Sequence, residues 1–250
     1  MPVYHLVSLK KIFNQFFKTF IQKREMITNI QVCRVCPCKP IVLVIILTTM
    51  QICLAHAVEY HMYTQKTGNE SFDFSWELTE SDKTMVEVRG NGEFFQNICD
   101  PFCRTVEWHY GMEGTEIRAV RDGDVIRISG TFNSKPFIKA FKIDDTPWYQ
   151  PLSYSLRCFL DSDEQETLFW MIRPDTLDVI KFKIRKLQKD HLILNGRSTH
   201  AIKMELGLTS LLEGLWKAHY WFREEDGLFI QYRGIHGAPG TPETVIRLIE

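Results

Sequence analysis

The chain has 250 residues, 30 of them Lys or Arg and 31 Asp or Glu, for a formal net charge of −1. That near-neutral total hides an asymmetry: residues 1–40 hold seven basic residues and one acid, leaving 23 and 30 for everything after residue 57. An acidic body argues against nucleic acid as a partner, because phosphate binding needs a net basic surface. Its 193 residues suit one domain with a sizeable core.

The first element is "IVLVIILTTMQICLAHA", residues 41–57, which carries no charge. Its apolar heart, Ile41 to Leu47, is short of the roughly 20 apolar residues a spanning helix needs. It ends at Ala55-His56-Ala57, a small-x-small pattern, and Lys23, Arg24, Arg34 and Lys39 lie upstream. That order is a signal peptide cut between Ala57 and Val58. An uncleaved anchor gives the same orientation, with the basic end in the cytoplasm and the rest outside. A buried core strand is the third reading. Cys53 follows Ile52, too bulky for a lipid-attachment site. Residues 1–25 are either an over-extended start, with Met26 opening a leader of ordinary length, or an amphipathic cytoplasmic segment with Phe13, Phe16, Phe17 and Phe20 on one face. The expected organisation is thus 1–40 basic region, 41–57 signal segment or anchor, and 58–250 a single exported domain.

In that domain the dominant period is two. "SFDFSWEL" sets Phe72, Phe74, Trp76 and Leu78 against Asp73, Ser75 and Glu77, a half-buried strand. "GNG" at 90–92 reads as a loop. "CDPFC" puts Cys99 and Cys103 at the ends of a small loop that a disulfide could close once the chain is exported; the alternative is free thiols. "TEIRAV" and "DVIRISG" flank Asp122-Gly123. In "TPWYQPLSYSLRCFLD" the residues Leu152, Leu156, Phe159 and Leu160 fall on one helical face, with Pro151 near the first turn and Cys158 as a small core residue. "VIKFKIR" alternates again, "HLIL" and "THAIKMEL" flank Asn195-Gly196, and "LTSLLEG" offers a second short helix or turn. "LWKAHYWF" and "LFIQYR" flank Asp226-Gly227, "GIHGAPG" reads as a loop, and "TVIRLIE" closes the chain. Asn-Gly and Asp-Gly suit tight hairpins because both residues tolerate positive φ. The fold class expected is mainly β: a curved antiparallel sheet or open β-barrel of about ten strands with one covering amphipathic helix.

This order resembles a family of exported bacterial proteins known only as a domain of unknown function, akin in architecture to the open barrels of the lipoprotein carriers LolA and LolB. A meander, a central helix with an Arg ("SLRCFL"), the "NG" hairpin, the Trp-bearing strand "LWKAHYWF", the "DG" turn and a last strand carry the likeness. The resemblance implies fold and a periplasmic, cell-envelope setting. "CDPFC" is an insertion outside its pattern.

No G-x-S-x-G elbow, phosphate loop, dinucleotide fingerprint or H-E-x-x-H is present. His61, His109, His191, His200 and His219 scatter over separate strands, and the acid pairs Asp144-Asp145 and Glu224-Glu225 read as solvated turns. No catalytic residue, metal site or cofactor is expected. What is left over is aromatic. Phe72, Phe74, Trp76, Trp170, Phe182, Trp216 and Phe222 are either core or, under a helix lid, the lining of an apolar cavity. A cavity gains about 0.8 kcal/mol per methylene it buries from an acyl chain. The first expectation is therefore a non-catalytic binder of a lipid-like or other apolar ligand. The second is an envelope interaction module docking by a sheet edge on another protein. The third is a hydrolase of envelope polysaccharide or lipid. The membrane would be touched only through an uncleaved N-terminal segment.

Overall fold

A computed structural model describes residues 57–209, 216–235 and 241–249. Residues 41–56 of the signal or anchor segment, residues 1–40 before it and most of "LTSLLEG" and "GIHGAPG" lie outside the described residues. The described chain opens at β1, whose first residue is Ala57.

Among the described residues there are fourteen strands and one helix, rather than about ten strands. The strands are β1 (Ala57–Thr67), β2 (Glu70–Glu80), β3 (Thr84–Gly90), β4 (Glu93–Cys99), β5 (Thr105–Met112), β6 (Thr115–Asp122), β7 (Val125–Phe132) and β8 (Lys135–Lys142). Helix α1 (Leu152–Leu160) follows. Then come β9 (Glu166–Ile172), β10 (Val179–Leu194), β11 (Arg197–Leu208), β12 (Lys217–Arg223), β13 (Phe229–Ile235) and β14 (Glu243–Ile249). "VIKFKIR" and "HLIL" are one strand, β10, whose pairing with β11 shifts register between Lys186 and Lys189. Sequence reading undercounts because several turns lack the Asx-Gly signal. The β7–β8 turn, for example, is Asn133-Ser134, both at positive φ.

All fourteen strands form one antiparallel sheet in the order β8-β7-β6-β5-β4-β3-β2-β1-β14-β13-β12-β11-β10-β9. Every strand neighbours its successor except β8 and β9, which are the two edges. β1 pairs with β14, Met62 opposite Ile249 through Thr67 opposite Thr244, so both ends of the domain lie mid-sheet. The alternation read in β2 holds: Trp76 and Leu78 are buried on the concave side, and Asp73 is exposed. The side chains bury in two clusters. One gathers Trp76, Leu156, Phe169, Ile184 and Phe222 under the helix, and the other gathers Trp108, Ile126, Trp148, Ile172 and Leu177 where β5–β7 meet β9.

Helix α1 buries Leu152, Tyr154, Ser155, Leu156 and Phe159. Four ties hold it to the sheet. Arg157 forks onto both carboxylate oxygens of Glu59 on β1 at 2.9 Å. Trp76 Nε1 donates to Ser153 Oγ at 3.1 Å. Lys186 donates to the carbonyl of Leu160 at 3.0 Å, satisfying an acceptor the helix end leaves open.

The fourth tie corrects the cysteine expectation. Cys103 is joined to Cys158 on the helix, not to Cys99. The reason is strand geometry: β4 runs through Cys99 and turns its thiol into the core, where Asn97 Nδ2 approaches Sγ at 2.9 Å. Cys103 sits in the following loop at φ 58°, aimed at the helix. Burial pushes the Cys99 thiol up to about 12. Cys158 is thus a covalent link rather than a small core residue.

Candidate functional site

The curled sheet encloses a cavity of about 1580 Å³ on its concave side. Cavities that take drug-sized ligands run to about 300–1,000 Å³, so this one has room for something larger. Register places its parts. The rim is made by the hairpin ends around Glu70, Asn91, Glu93 and Asn133, and the floor by Trp76 with Leu152 and Ser153 of the first helical turn. One wall carries Phe72, Phe74, Phe95 and Tyr110, and the other Phe182, Trp216, Tyr220 and Phe229.

The wall is held by ring contacts. Tyr63 stacks between Phe74 and Phe229, with centroids 5.4 Å from each, and its hydroxyl donates to the Phe229 carbonyl at 2.8 Å. Phe182 meets Trp216 edge-on at 5.9 Å, and Tyr220 meets Tyr232 at 5.0 Å. Such pairs add about 0.5–1.5 kcal/mol beyond area burial and fix ring positions. Burial raises the phenols of Tyr63, Tyr220 and Tyr232 far above their ordinary value, and that of Tyr110 to about 12. All four stay neutral at physiological pH.

Of the seven aromatic residues singled out from the sequence, Phe72, Phe74, Trp76, Phe182 and Trp216 line this cavity. Trp170 and Phe222 do not. On β9 the inward position belongs to Phe169, opposite Phe182, so Trp170 faces the other way. Its Nε1 donates to Asp144 at 2.8 Å, and Lys181 lies over its ring. Phe222 is at the helix end of β12, fully buried against Phe229 at floor level. Sequence reading missed Tyr63, Phe95, Tyr110, Tyr220, Phe229 and Tyr232. Tyr220 shares its strand face with Trp216 and Ala218, so the period-two signal for it was present.

The described histidines do not gather at one site. His61, His109 and His219 each lie beside a carboxylate on their own or a neighbouring strand, Glu59, Glu107 and Glu205 at 3.6, 2.7 and 3.6 Å. His191 and His200 face each other across β10 and β11 with ring centroids 4.4 Å apart. Among the described residues no group of three or more His, Cys, Asp or Glu is arranged to hold a metal. Asp144 is held far below the usual carboxylate range, first by the Lys181 ammonium and then by Thr146 and Trp170. It is fully engaged in structure.

No family model and no curated protein matches the sequence. Solved structures do. A β-barrel-like protein of the domain of unknown function DUF1849 from Brucella abortus superposes with a TM-score of 0.55 at 8% identity, covering 76% of this chain and 95% of that one. The fold is shared. The expected likeness to an open-barrel domain of unknown function therefore holds at the level of architecture. Looser superpositions reach the hypothetical lipoprotein YmcC from Escherichia coli, with a TM-score of 0.40, 10% identity and 82% and 96% coverage. A LolA superfamily protein from Nitrosomonas europaea gives a TM-score of 0.26, 8% identity and 78% and 84% coverage.

Proposed function

We propose that the protein is an exported envelope carrier whose residues 58–250 hold a lipid-like, apolar ligand in the cavity between the sheet and α1. The observation that carries this is the cavity itself: about 1580 Å³, walled by aromatic side chains whose phenols are neutral and whose polar atoms are largely satisfied within the wall. A wall of that kind offers an acyl chain area to bury and asks nothing polar of it. Export is supported by the Cys103–Cys158 bond, since such bonds persist in oxidising compartments, and by the charge asymmetry around residues 41–57. Cleavage after Ala57 and a periplasmic address belong to the same proposal.

The β8 edge speaks against docking by strand addition there, and residues 147–149 bond along part of the β9 edge. β8 carries Lys135, Pro136, Lys139 and Lys142, the residue types that blunt sheet edges.

The test is native mass spectrometry of the protein recovered from the envelope fraction without detergent. An added mass that extracts into organic solvent supports the carrier and identifies its cargo. A clean mass, with no uptake of added fatty acid, fatty amine or phospholipid, overturns it.

A further inference from the structure

The cavity is apolar in its depths and charged at its mouth, and the charges there are not equivalent. Among the described residues three basic side chains, those of Lys and Arg, line it, and each is already engaged. Arg173 pairs with Asp175, Lys181 with Asp144, and Lys217 with Glu205 at 3.2 Å. Glu93 differs. It occupies the inward face of β4, two residues before Phe95 and paired with Gly90 of β3, and it is half-buried against the cavity. No cation lies within ion-pair distance of it among the described residues. Between it and β2, β3 ends in Gly90, where a Cβ would come within 2.4 Å of the Phe74 Cβ, so no side chain intervenes there. Phe95 and Tyr110, with ring centroids 4.9 Å apart, line the cavity on the same side as Glu93, and Asn91 and Asn133 complete the rim there. The Tyr110 hydroxyl is turned onto Met112 Sδ at 2.8 Å rather than onto Glu93. Burial raises the Glu93 carboxyl above its ordinary value, the sign of a charge without a partner.

Given the carrier reading on which this rests, we infer that the cavity selects an apolar chain bearing an ammonium head, seated at Glu93 between Phe95 and Tyr110, over one bearing a carboxylate or phosphate. A half-buried carboxylate without a partner is relieved by a cation, and aromatic faces add to the attraction. An anionic head would meet Glu93 with like charge, and the three basic side chains of the described lining are each already partly neutralised by a carboxylate.

The probes are dodecylamine, dodecanol and dodecanoic acid, which share one chain and differ in the head. Each displaces an environment-sensitive dye from the delipidated, full-length protein near neutral pH. Dodecylamine is expected to bind about tenfold or more tighter than dodecanoic acid, with dodecanol between. In Glu93→Gln, checked for native melting, that ratio is expected to fall towards one while dodecanol is unchanged. Because the unaltered protein already gives the ratio, the inference stands or falls even if the variant does not fold. Acid binding as well as or better than amine overturns the head-group inference and leaves the carrier intact. A ratio unmoved in a folded Glu93→Gln overturns the assignment to Glu93. Failure of all three probes overturns the carrier reading and this inference with it.

Discussion

Breaking the Cys103–Cys158 bond is the sharpest perturbation of the helix floor. The bond closes a sequence separation of 55 residues, and loop-closure entropy for that length gives about 4 kcal/mol of stabilisation through the unfolded chain. For a domain of this size each kcal/mol moves the melting temperature by about 2–4 °C, so reduction should lower it by about 8–16 °C. The assay is thermal unfolding of residues 58–250 with and without a phosphine reductant, followed by circular dichroism. The double variant Cys103→Ser/Cys158→Ser, measured without reductant, should melt with the reduced form. Locating the one free thiol separates this pairing from the Cys99–Cys103 alternative, which would leave Cys158 free. In denaturant without reductant one thiol should be labelled, and peptide mapping should place it at Cys99. In the native protein Cys99 should resist alkylation at pH 8, because burial pushes its thiol up to about 12. A melting change under about 3 °C, or a label found on Cys158, would refute the reasoning.

Arg157→Ala removes the fork onto Glu59 and the guanidinium lying 5.2 Å from the Trp76 ring centroid. Glu59 is partly exposed, so the loss should be about 1–2 kcal/mol, below that for a fully buried pair. Burial opposes it, but the Arg157 hydrogen bonds and charge leave the Glu59 carboxyl below its ordinary 4.5. Its contribution is therefore present above that pH and lost as pH falls through the lowered value. Denaturant titrations of parent and variant should differ at pH 7 and draw closer as pH falls below 4.5, leaving only the part owed to the Trp76 contact, and a gap that does not narrow in acid would count against the pair. Phe72→Ala, at the mouth, should weaken an apolar ligand about five- to tenfold while costing under about 1.5 kcal/mol of stability. Trp76→Ala should do the reverse, costing about 3–5 kcal/mol because that ring is 2% exposed and supports the helix. Equal effects of the two on melting would mean that the mouth and the floor are not distinct. Gly130→Ala should destabilise by at least about 2 kcal/mol, since φ is 141° and the added Cβ would fall 1.9 Å from the Glu116 carbonyl oxygen. Unchanged melting would show that this backbone can relax.

Period two made the sheet readable. It set the inward faces of β2, β10 and β12 and thereby five of the seven proposed wall residues. It failed where one residue of slip changes the face, as at Phe169 and Trp170, because both are aromatic and either could have been inward. Strand number was less legible, since turns such as Asn133-Ser134 reach positive φ without glycine. The disulfide was not legible at all. Proximity along the chain favoured Cys99 with Cys103, but β4 carries Cys99 inward while the chain end of α1 brings Cys158 to the loop. That is a tertiary fact, set by where the helix docks.

The docking site of the helix follows from the strand order. With β1 paired to β14 and every other successive pair adjacent, the β8–β9 connection alone must run from one edge of the sheet to the other. Residues 143–165 make that passage. Trp148 is its waypoint: its carbonyl accepts from Thr105 N at 2.8 Å, while Trp170 N and Tyr149 N bond across to Pro147 and Trp170. The crossing segment is thereby stitched to β5 and to β9, and the helix it delivers closes the end of the curl that the sheet leaves open. A helix in any hairpin connection would sit on the rim, because a hairpin returns the chain to the neighbouring strand. Only the edge-to-edge connection traverses the concave side. The cavity therefore has a helical floor and a hairpin mouth for topological reasons, and its depth is set by the level at which Arg157, Ser153 and Cys158 fasten that one segment.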